Sequence, residues 1–292
     1  KFNIIYLLKR LVYILLKNNF NFKKSLHYLS SSSNLALNLV EKVKKEINFK
    51  TIRKVITPFE GQPFQQFFFK FLKKNYKNIK TIGYLSHTHP LQYDIFFREG
   101  SPDLLLLHSP DQKKYIELDL QWPKKKLRLI SSMRFLKKIN KKTMINKIFL
   151  PYDFDSEENY LINFENYLRI CKTKSLPILT IKPHPAPYNF KKQYNFEIKI
   201  KKLIKNYSAK FNKRIRNNLS IVFGLSSSVP IALEKGVKII HIVSDNFFEG
   251  FGKNIWPNII SMELVRNVFF YKLKKYNKCV IFGKNSDLEK YI

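Results

Sequence analysis

Residues 220–243 read SIVFGLSSSVPIALEKGVKIIHIV, and their pattern predicts a strand, a helix and a second strand. The apolar runs at 220–224 and 237–243 have the length and composition of strands that are buried on both faces. Between them, residues 229–235 predict a short helix, which ends before Gly236 because glycine favours the position after a helix. This strand–helix–strand unit is typical of a parallel sheet in an α/β protein.

The same alternation of short apolar strands and helices extends over most of the chain. The other predicted strands lie at 54–57, 79–85, 102–107, 127–131, 178–181 and 279–282. The other predicted helices lie at 35–47, 63–74, 113–120 and 191–206, with one more from the acidic cluster 155–158 to Cys171. The pattern predicts two α/β domains, an N-terminal one at 1–140 that starts with helices and a C-terminal one at 141–292. Because the chain begins with Lys rather than Met, an incomplete N-terminal domain belongs to this prediction.

The composition indicates a folded and strongly basic protein. Apolar residues form 45% of the 292 residues, which excludes a disordered or collagen-like chain. The formal net charge is +33, and most of the excess is lysine. A surface selected for phosphate recognition would favour arginine, so compositional drift is the preferred explanation of the excess. Whatever its origin, the charge attracts anionic substrates and anionic lipid surfaces.

The chain has no apolar run of the roughly 20 residues that a membrane-spanning helix needs. The nearest candidate, residues 2–16, is interrupted by Lys9 and Arg10 and predicts a buried or interfacial helix. Two cysteines, Cys171 and Cys279, are too few for a disulfide framework. We therefore expect a reduced, cytoplasmic setting.

Residues 182–185, Lys-Pro-His-Pro, follow the predicted strand 178–181 directly. In open α/β sheets ligands bind at the carboxyl edge, where this turn presents His184. The flanking prolines restrict the backbone, so the imidazole is held in place. A fixed histidine can donate to a phosphate oxygen or protonate a leaving phosphate. The alternative is a turn histidine that caps a neighbouring strand.

A second strand end carries Ser226, Ser227 and Ser228 and leads into a helix with Pro230 in its first turn. The unpaired backbone N–H groups at a helix start attract anions, and serine hydroxyls add further donors. The alternative is simple N-capping. Two such strand ends in one sheet predict a phosphate site.

These motifs resemble those of GT-B glycosyltransferases that build bacterial surface carbohydrates, such as capsule, polysialic acid and Kdo transferases. Bacterial sialyltransferases of that group carry an acidic-Gly motif, a His-Pro motif and a Ser-Ser motif. Residues 59–61 (Phe-Glu-Gly), 184–185 (His-Pro) and 226–228 (Ser-Ser-Ser) occur here in that order. The resemblance covers roughly residues 51–245, and Phe59 stands where the family form has its first acid. It implies two Rossmann-like domains that face a cleft.

The resemblance also implies roles for single residues. Glu60 would be the general base that takes the proton of the acceptor hydroxyl. His184 would bind or protonate the departing phosphate, and Ser226–Ser228 would hold that phosphate. The remaining implied site residues are Lys182 and Pro185 beside the phosphate, Glu234 on ribose hydroxyls, and Gly61, His87 and His89 on the acceptor side. Glu60 as an ordinary loop residue and Glu234 as an ordinary exposed helix residue are the alternatives.

The implied function is inverting, metal-independent transfer of a sugar from a CMP-linked or other pyrimidine-nucleotide donor. The acceptor would be a surface polysaccharide or a lipid-linked glycan, and the enzyme would be cytoplasmic and peripheral on the inner face of the cell membrane. No cofactor and no metal are expected. His87 and His89 lack further ligands, and the Asp153-Phe154-Asp155 triplet lies where aspartate ordinarily caps a helix.

Two alternatives stay open at this stage. A sugar-nucleotide 2-epimerase or a glycerophosphotransferase would share the fold and the phosphate motifs, since fold does not determine function. A basic nucleic-acid-binding protein would account for the charge of +33. This last alternative is disfavoured because no recognised binding motif is present and lysine is spread over the whole chain.

Overall fold

The computed structural model describes residues 4–17, 31–85, 95–136, 139–171, 179–208, 218–244, 250–252, 255–275, 277–283 and 291. Over these ranges the chain is an α/β protein with parallel strands in its two larger sheets, which confirms the α/β part of the prediction. The helices are α1 (Ile4–Lys17), α2 (Ser31–Glu46), α3 (Pro63–Asn75), α4 (Pro110–Leu118), α5 (Glu157–Ile170), α6 (Phe190–Ser208) and α7 (Ser228–Glu234). The strands are β1 (Lys54–Pro58), β2 (Lys80–Tyr84), β3 (Leu104–Leu107), β4 (Leu127–Leu129), β5 (Ser132–Leu136), β6 (Lys147–Phe149), β7 (Thr180–Lys182), β8 (Leu219–Phe223), β9 (Lys238–Ile242), β10 (Ile259–Val265), β11 (Val268–Leu273) and β12 (Phe282–Gly283).

The N-terminal sheet has four parallel strands in the order β1-β2-β3-β4. Strand β3 consists of four leucines, all buried, because both faces of the sheet are covered. Leu105 and Leu107 pack in one cluster with Phe69 of α3 and Ile116 of α4. The alternate leucines belong to a smaller cluster on the other face, as the two-residue period of a strand requires.

The C-terminal sheet has six strands in the order β10-β11-β9-β8-β6-β7. Strands β7, β6, β8 and β9 are parallel, with both faces covered: Ile221 and Phe223 pack with α5 and α6, and Val222 packs with α7. Strand β6, which comes first in the sequence among the strands of this sheet, lies between β7 and β8. The strand order therefore reverses between β6 and β8.

The structure corrects the expectation of purely parallel sheets. The hairpin β10–β11 is antiparallel and extends the sheet beyond β9. Its turn consists of Arg266 and Asn267, and Asn267 has a φ of 66°, the left-handed conformation that asparagine tolerates in two-residue hairpin turns. The predicted strand at 279–282 is also mostly absent. Of these residues only Phe282 is in a strand, where β12 pairs with β5.

Residues 277–283 return to the N-terminal half of the chain. The Ile281 N–H donates to the His108 carbonyl at 2.8 Å, and the Ser132 N–H donates to the Ile281 carbonyl at 2.8 Å. The Asn258 side-chain amide donates to Asp111 of α4 at 2.7 Å. These contacts tie the region of the C-terminal sheet to α4 and β5, so the boundary between 140 and 141 stays a prediction.

Helix α1 presents apolar side chains to solvent. Leu8, Val12 and Leu16 are 56%, 54% and 57% exposed, whereas Ile14 on the opposite side of the helix is buried. None of the described helices is both long and apolar enough to cross a membrane.

Candidate functional site

A cavity of about 290 Å³ opens where the C-terminal sheet reverses its strand order. Its lining comes from the residues that follow β6, β8 and β9, together with one residue of α5: Pro151, Tyr152, Asp153, Tyr160, Gly224, Leu225, Val243 and Ser244. In open α/β sheets, ligands bind outside the carboxyl ends of the strands at such a reversal. The volume is close to the lower end of the range for small-molecule sites, about 300–1,000 Å³. We call this feature the switch-point cavity.

Gly224 and Tyr160 form one wall of the switch-point cavity. Gly224 has a φ of 63°, and a Cβ atom at this position would lie 2.7 Å from the Tyr160 hydroxyl. Both the backbone conformation and the close approach therefore require glycine. Burial raises the pKa of Tyr160, whose hydroxyl is hydrogen-bonded to the Ser244 side chain. Tyr160 thus presents a neutral hydroxyl group at the site.

The buried His241 holds the end of β8 from behind. Its Nε2 lies 2.8 Å from the Gly224 carbonyl oxygen, and its Nδ1 lies 3.3 Å from the Tyr271 hydroxyl. Because a carbonyl only accepts, Nε2 carries the proton, and Nδ1 accepts from Tyr271. Burial lowers the pKa of His241 to about 4, so the ring is neutral near pH 7. His241 is a positioning residue for the Gly224 turn.

His184 follows β7 at the same edge of the sheet. The Ala186 N–H donates to His184 Nδ1 at 3.2 Å, so the proton of the neutral ring is on Nε2, where it can be donated to a ligand. The His184 N–H donates to Gln193 Oε1 at 2.9 Å, and Gln193 Nε2 donates back to the His184 carbonyl at 3.4 Å. Gln193 is buried, so its amide holds the turn in addition to the flanking prolines. The motif-based prediction missed Gln193, whose position in the first turn of α6 was the available signal.

Tyr152 links His184 to the switch-point cavity. The Tyr152 and His184 rings contact each other edge to face, with centroids 5.4 Å apart and planes at 75°. Tyr152 also lines the cavity, so His184 contacts a residue of the cavity lining. Lys182 and Pro185 are exposed on either side of His184 in the sequence. The structure thus brings the predicted His-Pro turn next to the cavity.

The predicted serine cluster lies at the end of β8, directly after Leu225 of the cavity lining. Ser226 Oγ accepts a hydrogen bond from the Ser228 N–H at 3.1 Å, which is the local capping that was the alternative role. Ser227 is at the N-cap and makes no side-chain capping bond. All three serines are partly buried. The turn shares the sheet edge with His184, and its role in holding phosphate stays a prediction.

Glu234 is at the opposite end of α7 from the cavity-side turn. Its Oε1 accepts from the backbone N–H groups of Cys279 and of Val280, the latter at 3.0 Å. Burial raises the pKa of Glu234. This carboxylate ties α7 to residues 277–283, a structural role that differs from the predicted contact with ribose.

The other buried carboxyl group at this junction is Asp111. Burial raises its pKa to about 6, and the nearby charge of Glu234 adds a smaller increase. Its partner is Asn258, whose side chain and backbone N–H both donate to it. The motif-based prediction did not include Asp111.

Glu60 lies directly beyond β1 in the N-terminal sheet, in a turn fixed by a glutamine. The N–H groups of Glu60 and Gln62 both donate to Gln65 Oε1, at 2.9 and 3.0 Å. Gln65 Nε2 donates to the Pro58 carbonyl at 2.7 Å. Gly61 is buried with a φ of 74°, so the turn requires a residue that accepts the left-handed conformation. Glu60 is partly buried at the carboxyl end of β1, where the sequence places it, and its role as a site residue stays a prediction.

The two predicted histidines on the acceptor side and the aspartate triplet remain to be placed in the structure. His87 and His89 lie outside the described residues. Asp153 Oδ1 accepts from the Asp155 N–H at 3.0 Å, and Asp155 pairs with Lys192 at 3.2 Å. The N-cap of α5 is Ser156, so the Asp153 bond fixes the turn before the helix, which corrects the capping role predicted for the triplet. Among the described residues, no three His, Cys, Asp or Glu side chains come together as a metal site.

No protein-family model matches the chain, and no curated protein matches it at a significant level. The resemblance to surface-carbohydrate transferases is therefore a hypothesis that depends on short motifs and on their placement in the fold.

Proposed function

We propose that this chain is a glycosyltransferase that takes its sugar from a nucleotide-linked donor. The observation that supports this proposal is the position of the switch-point cavity, which lies at the reversal of strand order, with His184 in contact with Tyr152 of its lining. The nucleoside part of the donor would enter the cavity, and its phosphate would lie outside, at His184. The two halves of the chain would be two Rossmann-like domains on either side of a cleft.

The chemistry of the cavity lining supports placing the nucleoside inside the cavity and the phosphate outside it. Pro151, Leu225 and Val243 give the cavity an apolar wall, which suits a nucleoside ring better than a phosphate group. His184 offers an Nε2–H donor beside Tyr152, and the Ser226–Ser228 turn lies at the same edge of the sheet. Donors aimed at the phosphate stabilise the charge that develops as the sugar leaves.

The proposed reaction is a single displacement. The acceptor hydroxyl oxygen forms a bond to the anomeric carbon, and the bond from that carbon to the phosphate oxygen breaks. The electron pair of the broken bond goes to the nucleotide phosphate, which His184 stabilises by hydrogen bonding. The proton of the acceptor hydroxyl goes to the Glu60 carboxylate, acting as general base from the N-terminal side of the cleft.

A membrane surface is the proposed location of the acceptor. The exposed side chains Leu8, Val12 and Leu16 form an apolar stripe on α1, with the exposed Lys9 at its edge. Such a helix can lie in the headgroup region of a bilayer, and the net charge of +33 favours anionic lipids. Flotation with vesicles containing anionic phosphatidylserine should carry the protein, and the triple variant L8S/V12S/L16S should stay behind. Equal flotation of both proteins would contradict this location.

A thermal-shift panel of CMP, CDP, UDP and GDP tests the donor site. We expect at least one pyrimidine nucleotide to raise the unfolding midpoint, because a ligand that binds only the folded state stabilises it. His184→Ala should abolish that rise. Met262→Ala, a change at an exposed residue of the edge strand β10, is the control and should keep it. A flat panel for the unmodified chain would contradict the proposed function.

A further inference from the structure

The switch-point cavity carries negative charge although the protein is strongly basic. The formal net charge of the chain is +33, yet Asp153 is the only charged residue among the described residues that line the cavity. The segment 148–168, which supplies Tyr160 as well as Asp153, has no lysine or arginine and contains the carboxylates Asp153, Asp155, Glu157, Glu158 and Glu165. Burial raises the pKa of Tyr160, and the nearby charge of Asp153 adds to that increase. The cavity therefore favours a cation over an anion.

The charge of Asp153 is available to a ligand. Lysines of α6 pair with Asp155 and with Glu157. Within the described part of the chain, no basic side chain forms a salt bridge with Asp153. Its Oδ1 accepts from the Asp155 N–H at 3.0 Å, which fixes the orientation of the carboxylate without neutralising it.

Tyr152 and Tyr188 form a pair of aromatic rings that are open to solvent. Tyr152 is 52% exposed although it belongs to the cavity lining, and Tyr188 is 74% exposed. Their ring centroids are 6.4 Å apart, and their planes are inclined at 64°. A cation within about 6 Å of a ring centroid is attracted by the negative face of the ring. Two inclined rings at this separation allow one cation to contact both.

The ring pair is held in place by its neighbours. The Tyr188 N–H donates to the Tyr152 carbonyl at 3.0 Å, and Pro151 and Pro187 on the neighbouring positions are buried. The His184 ring contacts the Tyr152 ring edge to face, with centroids 5.4 Å apart. Side chains that are ordered in advance lose little entropy when a ligand binds.

We propose that Tyr152, Tyr188 and Asp153 form a binding site for an organic cation, with a quaternary ammonium group as the preferred ligand. The ring faces contact the cation, and the carboxylate supplies the opposite charge. A quaternary ammonium has no N–H group to leave unsatisfied beside the apolar part of the cavity lining. A primary ammonium has three N–H donors and is strongly hydrated, so it loses more water on binding. The inference goes beyond the proposed function, because it requires neither a nucleotide nor sugar transfer.

The test compares choline with its uncharged isostere, in which a tert-butyl group replaces the trimethylammonium group. Ligand-observed NMR titration measures both affinities. We expect choline to bind more tightly than the isostere by about 5-fold or more, since two ring faces and a carboxylate attract only the charged ligand. Ethanolamine, which carries a primary ammonium, should bind more weakly than choline. Equal affinities of choline and the isostere would overturn the proposal, and ethanolamine that binds as tightly as choline would overturn the preference for a quaternary group.

Tyrosine variants test the ring pair. The double variant Y152L/Y188L removes both ring faces and keeps apolar side chains, so it should weaken choline by about 3-fold or more and leave the isostere unchanged. Y152F/Y188F keeps the ring faces and should keep the affinity for choline. Tyr194→Leu, at a 65% exposed tyrosine of α6, is the control. Equal weakening of both ligands by Y152L/Y188L would show that the rings supply apolar contact alone, and would overturn their role in binding the cation.

Asp153→Asn tests the carboxylate separately. Its amide retains a carbonyl oxygen for the Asp155 N–H but carries no charge. Choline should bind about 2- to 5-fold more weakly to this variant, as expected for an exposed ion pair, and the isostere should be unaffected. An unchanged affinity for choline in Asp153→Asn would overturn the role of the carboxylate.

Failure of this inference is distinguishable from failure of the proposed function, because choline and the nucleotides are titrated separately. A chain that binds a nucleotide but not choline keeps the proposed function and lacks the cation site. A chain that binds choline but no nucleotide keeps the cation site and contradicts the proposed function.

Discussion

The two halves of this chain each contain four parallel strands of similar composition, but they order those strands differently. In the N-terminal sheet the order β1-β2-β3-β4 follows the sequence, whereas in the C-terminal sheet the order β7-β6-β8-β9 doubles back at β6. The switch-point cavity lies where the second sheet doubles back. The comparison shows that the position of the cavity follows from the order of the strands rather than from their composition.

The loops at the two candidate site residues are built in the same way. At Glu60 a glutamine from the first turn of α3 binds back to the loop, and at His184 a glutamine from the first turn of α6 does so. Gln65 and Gln193 are both buried. Each satisfies backbone groups that would otherwise lack a partner inside the protein.

The two sheets also use buried histidines alike. His241 Nε2 donates to the Gly224 carbonyl at the end of β8, and His108 Nδ1 lies 3.1 Å from the Leu85 carbonyl just beyond β2. His241 is in β9 and holds the end of the adjacent strand β8. His108 directly follows β3 and holds the end of the adjacent strand β2. The halves therefore share local devices and differ in topology, and the proposed division of labour assigns acceptor chemistry to one and donor binding to the other.

The largest expected effect tests that division of labour directly. Glu60→Gln removes the proposed base but keeps the size of the side chain, so turnover should fall by about 10²- to 10⁴-fold. Nucleotide binding should be unchanged, because the cavity belongs to the C-terminal sheet. Initial rates and titration with the same nucleotide measure the two effects. Loss of nucleotide affinity in a folded Glu60→Gln variant would contradict the assignment of nucleotide binding to the C-terminal half alone.

The second expected effect concerns acid stability of the C-terminal sheet. Burial lowers the pKa of His241 from 6.5 to about 4, so between these values the unfolded chain binds a proton that the folded chain does not. The free energy of unfolding should therefore fall as the pH falls from about 6.5 to 4, with a loss of about 3 kcal/mol from this residue. Asp111 acts in the opposite direction, because its pKa is raised and the folded chain binds the proton first between 3.8 and about 6.

His241→Gln isolates the contribution of His241, since an amide N–H can still donate to Gly224 and does not titrate. Urea unfolding at pH 7 and pH 4.5 should show a smaller acid loss in His241→Gln than in the unmodified chain, by about 2 to 3 kcal/mol. Asp111 is present in both proteins and cancels. Parallel pH dependence of the two proteins would show that His241 does not titrate as its burial predicts.

The smallest expected effect sharpens the comparison of the two loops. Gln193→Leu and Gln65→Leu each leave buried backbone groups without a partner, a cost of about 1–3 kcal/mol. Gln193→Leu should weaken nucleotide binding, whereas Gln65→Leu should lower turnover at saturating nucleotide and leave binding intact. Gln193→Glu, which can still accept from the His184 N–H, should recover part of the affinity. If both leucine variants changed the same parameter, the two loops would not serve separate halves of the reaction.

Much of the fold could be predicted because buried parallel strands leave a local signature. The runs at 54–57, 127–131 and 220–224 and the helices around them agree with the structure to within a few residues at their ends. The hairpin β10–β11 was missed because its turn, Arg266-Asn267, is not one of the glycine-containing pairs, such as Asn-Gly, that mark a two-residue hairpin in a sequence. The prediction of a strand at 279–282 was mostly wrong, because an apolar run indicates that a segment is buried but not that it pairs with another strand.

The candidate site was less predictable than the fold. His184 and the serine turn could be located because they follow strands that are evident from the sequence. Tyr152 and Tyr160 could not, since each gains its role from a partner far along the chain. Gln193 was missed although its position in the first turn of α6 was a usable signal. The sequence places Glu234 on a helix near the predicted site. Its contacts with residues 279–280 could not be predicted, because they depend on how residues 277–283 pack against α7.

The sequence by itself determined the α/β class, most of the elements and the strand ends at which polar side chains collect, because these depend on local hydrophobic periodicity and turn chemistry. The tertiary structure alone decided the order of the strands, the mixed character of the second sheet and the place of the cavity. The physical reason is that strand order depends on which apolar faces pack together over long separations, and no local pattern encodes that choice.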